Sequence, residues 1–131
     1  MRIEALKSLY DMQQACQLMV AFLAGKTLSD YESDPLLRSG VERQLMIVGE
    51  ALNRLKRTEP SLITLITNSR QIIAFRNILI HGYDIIRNEV VWGILESDLP
   101  TLSGEISALL EQGADQPSSS EPPEQIATPD P

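Results

Sequence analysis

An all-α fold is the prediction for this 131-residue chain. Three observations lead to it. Apolar residues recur at spacings of three and four from the first residues to about Gln112. No stretch sustains the alternation of a half-buried strand, and no Asn-Gly or Asp-Gly dipeptide marks a hairpin. Hydrophobic residues make up 43% and aromatics only 5%, an aliphatic mixture of Leu, Ile, Val and Met suited to filling the space between helices. Short connections between the periodic segments make an antiparallel bundle of four to five helices the expected architecture.

The first helix spans roughly Arg2 to Ala24. Leu9, Met12, Cys16, Met19 and Leu23 form its apolar stripe, and Gly25 is a natural stop. The segment "KTLSDYES" reads as a loop. Asp34-Pro35 is a strong start signal, with Asp as N-cap and Pro in the first turn. The helix that follows runs to about Arg57 along a seam of Leu37, Val41, Leu45, Val48, Leu52 and Leu55. Pro60 interrupts, and "PSLITLI" reads as a short helical turn. Asn68 or Ser69 caps a third long helix, which ends near His81 because Gly82 follows. Asn88 caps the last long helix, which Pro100 should kink by removing a backbone donor and which Gly113 ends.

Net charge is −7, unevenly placed. From Gly113 onward four of the chain's 18 acids and none of its 11 bases appear, which leaves residues 1–112 at −3. The sequence thus divides into a helical domain over 1–112 and a tail over 113–131. The tail's Pro, Ser, Gln and Glu have little to bury, and an acidic, disordered or partner-ordered segment is expected there. An acidic protein is a poor generic binder of nucleic acid, so any such function needs a local positive site. No uncharged run approaches the ~20 residues of a membrane span. The first helix carries both charge signs, unlike a signal peptide, and a cytoplasmic protein with no membrane partner is expected. One Cys and one His fall short of the ~4 ligands of a structural zinc site, and no Asp/Glu cluster stands beside the segment considered next. No metal or cofactor is therefore called for.

That segment is "AFRNILIHGYD", residues 74–84. On a helix the same-face neighbours of Arg76 are Ile72, Ile73, Leu79 and Ile80, all apolar. A guanidinium there is costly unless paired. The plain explanation is a carboxylate on the facing helix, Glu50 being placed to supply it. His81, the only histidine, lies at the C-terminal end of the same helix, where partial negative charge favours the imidazolium. In the plain reading it bonds a free carbonyl; a protonated imidazole there is also what a departing alkoxide needs. Five residues on an ideal helix amount to about 500°, so Arg76 and His81 point about 140° apart with ~7.5 Å of rise between them. Either Gly82 lets His81 turn back, or the two line an extended cleft with a second surface opposite.

The spacing Arg76, four residues, His81, one residue, Tyr83 resembles the Arg-x4-His-x-Tyr signature of the HEPN superfamily. Three blocks in order, "RQLMIVGEALNRL" (Arg43 to Leu55), "FRNILIHGYD" and "VVWGILESDLPTL" (Val90 to Leu102), resemble the HepT-type toxins, small helical ribonucleases encoded beside a minimal nucleotidyltransferase. The resemblance covers about residues 1–112. It implies a homodimer that brings two signature segments into one cleft and cleaves RNA without metal. Arg76 would stabilise the phosphorane and His81 would move protons. Tyr83 would be the hydroxyl that an MntA-type nucleotidyltransferase antitoxin modifies with AMP. The added negative charge would compete with RNA for Arg76 and His81.

The residues themselves fit such chemistry. Metal-free cleavage needs a base for the 2′-OH and an acid for the 5′-oxygen. One chain has one histidine; a two-fold dimer has two, with two arginines against the charge on phosphorus. Glu50 and Asn77 are the candidates for positioning Arg76. Arg43, Ile47, Glu50 and Arg54 share a helix face, which either lines the cleft or is merely solvated. Arg54, Lys56 and Arg57 complement the helix dipole rather than form an RNA track. Trp92 reads as core or dimer packing, and Cys16, on a packed face, as no nucleophile. Two other functions are open: a non-catalytic dimer that presents Tyr83 to its partner, and a nucleotide-binding accessory subunit in which Arg76 holds a triphosphate.

Overall fold

A computed structural model of the protein describes residues 1–82 and 86–115. The described residues form six helices and no strand: α1 Ile3–Leu23, α2 Leu28–Ser33, α3 Pro35–Thr58, α4 Pro60–Ile63, α5 Ser69–His81 and α6 Asn88–Asp115. The all-α prediction holds. The count exceeds four to five because a helix lies inside "KTLSDYES". There Thr27 and Asp30 form a reciprocal capping box, with Asp30 N–H donating to Thr27 Oγ1 at 3.2 Å and Thr27 N–H to Asp30 Oδ2 at 2.9 Å. The Thr27/Asp30 spacing announces this helix, but six residues are too few for an apolar stripe to show.

The long helices fall where periodicity puts them. Gly25 ends α1 with φ at 72°, a conformation that favours glycine, and Lys26 N–H bonds back to Leu23 O at 2.9 Å. At the start of α3, Asp34 Oδ1 accepts the N–H groups of both Leu36 and Leu37 at 3.1 Å, and Pro35 occupies the first turn. Asp34→Ala is expected to lower stability by about 1 kcal/mol, read by urea unfolding, because two helix donors lose their acceptor; an unchanged midpoint would show that water replaces it fully.

Three boundaries differ from expectation. Asn68 stands at the N-cap of α5 but makes no side-chain capping bond. Asn88 is the first helical residue of α6 rather than its cap, and Arg87 O accepts the Val91 N–H at 3.2 Å. Gly113 does not end α6, which continues to Asp115 as one helix with Pro100 inside it. Gly113 serves close approach instead: a Cβ there would lie 2.9 Å from Leu6 Cδ2.

Helix α3 is the hub. It packs against α1, α2, α4 and α5, while α6 packs on α1 and also touches α2. The core runs through Leu9, Met12, Met19, Val41, Val48, Leu52, Leu55, Val91 and Ile106, all fully buried. Burial of such side chains contributes ~1.5–3 kcal/mol each. Tyr31, also fully buried, meets Trp92 with ring centroids 5.8 Å apart, so the lone tryptophan packs on the core as expected. Helix α5, by contrast, packs mainly on α3 alone. Its start is tied to α6 through the Thr67 N–H and hydroxyl, which both donate to the Glu105 carboxylate. Among the described residues no helix is long and apolar enough to cross a membrane.

Candidate functional site

The α3–α5 seam is organised around a glycine. A Cβ built on Gly49 would sit 2.3 Å from Arg76 Cβ and 2.6 Å from its Cγ. No side chain fits there, so the arginine stem lies directly on the backbone of α3. This notch gives a charged side chain a place inside an apolar seam. Its aliphatic part is covered and its guanidinium is carried to the rim, with the side chain 20% exposed. Gly49 was given no role from sequence. The signal was present: a glycine inside an otherwise regular apolar seam marks a close backbone approach.

At the rim Arg76 Nη2 donates to Glu50 Oε2 at 3.3 Å, and Nη1 donates to Asn77 Oδ1 at 3.1 Å. The expected Glu50 partner is thus in place, and Asn77 joins it. Arg76 Nε is buried with no hydrogen-bond partner. A half-exposed ion pair contributes ~0–1 kcal/mol, and Glu50 is 56% exposed. An unsatisfied buried donor costs ~1–3 kcal/mol. The ion pair and the Asn77 bond (~0.5–1.5 kcal/mol) together do no more than offset the unmet donor, so pairing alone does not account for an arginine here.

His81 is the last residue of α5 and is exposed. Because it is itself helical, with Gly82 N–H bonding to Ile78 O at 2.8 Å beyond it, the chain does not turn back before the imidazole. Of the two sequence alternatives, the turn-back is therefore removed. Arg76 and His81 lie on different faces of one unbroken helix, about 140° apart around its axis and ~7.5 Å apart along it. Ile80, one turn from Arg76, and Ile78, almost one turn from His81, are 36% and 40% exposed. Tyr83 lies outside the described residues.

The neighbouring cations separate. Arg54 turns from the seam toward α1 and meets Asp11 at 3.2 Å, where Lys7 also binds. The face shared by Arg43, Ile47, Glu50 and Arg54 is therefore not a single cleft lining. Arg57 donates to Asn53 O of its own helix at 3.5 Å and stands in the last turn of α3, where the helix dipole favours a cation. Arg43 is exposed. The Gly49–Arg76 contact sets an antiparallel register that brings Arg43, six residues before Gly49, level with Gly82, six after Arg76. Cys16 is buried and its thiol is pushed up to about 12 by burial, so no thiolate forms near neutral pH. Among the described residues no three His, Cys, Asp or Glu side chains gather as metal ligands.

A family model described as "Ribonuclease HepT-like" matches residues 12–109, three quarters of the chain and all of the α3–α5 seam. The chain belongs to the HepT-like ribonuclease family. A protein of Thermococcus cleftensis named "Probable ribonuclease HepT" is 30% identical to this HepT-like chain over 105 residues, 77% of this chain and 91% of its own. Two proteins designated RNases by name, from Caldanaerobacter subterraneus subsp. tengcongensis and Methanocaldococcus jannaschii, are each 26% identical over 102 residues; the alignments cover 76% and 75% of this chain and 88% and 89% of theirs. No solved structure matches the HepT-like chain.

Proposed function

We propose that this HepT-like protein is a metal-independent endoribonuclease, the toxin of a toxin–antitoxin pair in the cytoplasm, acting as a homodimer through Arg76 and His81. The observation that carries the reading is the divergence of these two groups on one straight helix. One subunit cannot close them on a single phosphodiester. Two copies facing each other across a two-fold axis set the Arg76 of one beside the His81 of the other, and the half-exposed Ile78 and Ile80 supply apolar surface for that meeting.

The reaction follows from the groups present. One imidazole takes the 2′-OH proton as the oxygen attacks phosphorus. Arg76 guanidinium groups stabilise the doubly charged phosphorane. The second imidazole protonates the departing 5′-oxygen. The products carry a 2′,3′-cyclic phosphate and a 5′-hydroxyl. Asn77 and Glu50 hold Arg76 in position, and Arg43 flanks the His81 end of the seam. Residues 1–112 form the catalytic unit in this reading, with the 113–131 tail outside it. A nucleotidyltransferase antitoxin silences the enzyme by moving AMP from ATP to the Tyr83 hydroxyl with release of pyrophosphate; support for this last step is the family and the position of Tyr83 two residues past His81.

The test uses purified full-length protein. Cleavage of single-stranded RNA to cyclic-phosphate ends is expected to persist in EDTA, from a species that sediments as a dimer. Incubation with the nucleotidyltransferase and ATP should add AMP mass that Tyr83→Phe lacks. EDTA-sensitive cleavage would reject the metal-free route. Binding to the nucleotidyltransferase with no RNA cleavage would favour the presenting module, and tight ATP binding by the unmodified dimer the accessory subunit.

A further inference from the structure

We propose that the cavity between the end of α3 and the start of α5 is a second phosphate-binding subsite for the RNA strand, built on Lys56 and Arg70. The proposal rests on the ribonuclease reading and extends it along the seam.

The cavity has a volume of about 170 Å³ and is lined by Lys56, Ile63, Ser69, Arg70 and Ile73. Ligand pockets for whole small molecules run to roughly 300–1,000 Å³, so this one suits a phosphate-sized group rather than a nucleotide. Lys56 and Arg70 are exposed, and neither makes a hydrogen bond or ion pair among the described residues. In a chain of net charge −7 several other cations do find partners, Arg76 with Glu50, Arg54 with Asp11 and Arg57 with its own helix, while Arg43 at the far end of the seam is exposed like Lys56 and Arg70. Both Lys56 and Arg70 line one concavity with no acid among its lining residues, so an anion that enters is attracted by two cations.

Its placement connects it to the candidate site. Lys56 is seven residues after Gly49 on α3, two turns along and on the same face. Arg70 is seven before Asn77, likewise two turns along one stripe of α5. The cavity therefore opens on the side of the seam that carries the Arg76–Asn77 pair. Arg70 lies six residues from Arg76, ~9 Å along the helix axis. Arg70 also points about 120° from Arg76 around the helix, so the two face successive parts of a strand rather than one phosphate. A strand that follows the seam past Arg76 can lay a further phosphate at Lys56 and Arg70.

The experiment compares Lys56→Gln/Arg70→Gln with the parent in the full-length protein. Lys7→Gln/Lys26→Gln serves as a control that removes the same charge elsewhere. Binding of a single-stranded RNA ten-mer is measured against salt by fluorescence anisotropy, all proteins carrying His81→Ala to prevent cleavage. Each lost phosphate contact on a single strand should flatten the slope of log affinity against log salt by ~0.7. The double variant is expected to show that change and the control a smaller one. With His81 restored, the loss of kcat/KM on the ten-mer should exceed the loss on a dinucleotide, which has a single phosphodiester, by at least about fivefold. A slope equal to the parent's, or no flatter than the control's, overturns the subsite while leaving the ribonuclease reading intact. A parent that neither binds nor cuts RNA overturns both.

Discussion

Arg76→Met is expected to reduce RNA cleavage by about 10²–10³-fold while leaving the protein at least as stable as the parent. The two halves of this outcome come from the same geometry. Methionine keeps an unbranched stem to lie on the Gly49 notch but removes the guanidinium that would meet charge building on phosphorus. It also removes the orphaned Nε together with a half-exposed ion pair of small worth. A purely structural arginine would behave the other way, with the melting temperature falling and cleavage following it. His81→Ala should lose about 10²–10⁴-fold with little change in stability, since the imidazole is exposed at a helix end. Cleavage assays on RNA and thermal melts of the same preparations decide both points. Parent-like cleavage by either variant would remove that residue from the chemistry.

Gly49→Ala is expected to destabilise the protein by about 1–3 kcal/mol, as overpacking of a tight interface does, and to cut activity beyond what unfolding explains. Helix propensity alone predicts the opposite sign, since alanine is favoured over glycine by ~1 kcal/mol inside a helix. The overlap wins because the atoms met at 2.3 and 2.6 Å are Arg76 Cβ and Cγ, close to the α5 backbone and unable to swing away. The helices must part. Because α5 packs chiefly on α3, no other strong contact holds it at its depth, and Arg76 moves with it. Urea unfolding gives the first quantity; cleavage at a temperature where both proteins are folded gives the second. An alanine variant more stable than the parent would mean that the seam is looser than the structure shows.

Most of the bundle was legible because long amphipathic helices repeat their pattern many times. Asp34-Pro35 and Gly25 marked their boundaries because each has one physical use. Helix α2 escaped notice because six residues carry too little periodicity, although Thr27 and Asp30 had the right spacing. Gly113 was misassigned as a terminator because sequence cannot tell a glycine that ends a helix from one that admits a neighbour, here Leu6. For the candidate site, the Arg76–Glu50 pair was legible from apolar surroundings that demanded a partner. Gly49 was not, because its role exists only across the seam. The same limit applied to Arg54, Lys56 and Arg57: adjacent in sequence, they go to three different destinations, which only the packing of α1 and α5 resolves.

The carboxylate beside Arg76 sets a condition on anything that approaches it. At rest Glu50 serves as a built-in counter-ion, tethered and always at hand. A lone chloride or orthophosphate must evict it with a single weak attraction and gains little by the exchange. A polymer with a charge on every repeat can dislodge it while holding on elsewhere along the seam. On the proposed ribonuclease reading, preference for a chain over a free ion would begin in this resting contact, before any base is read.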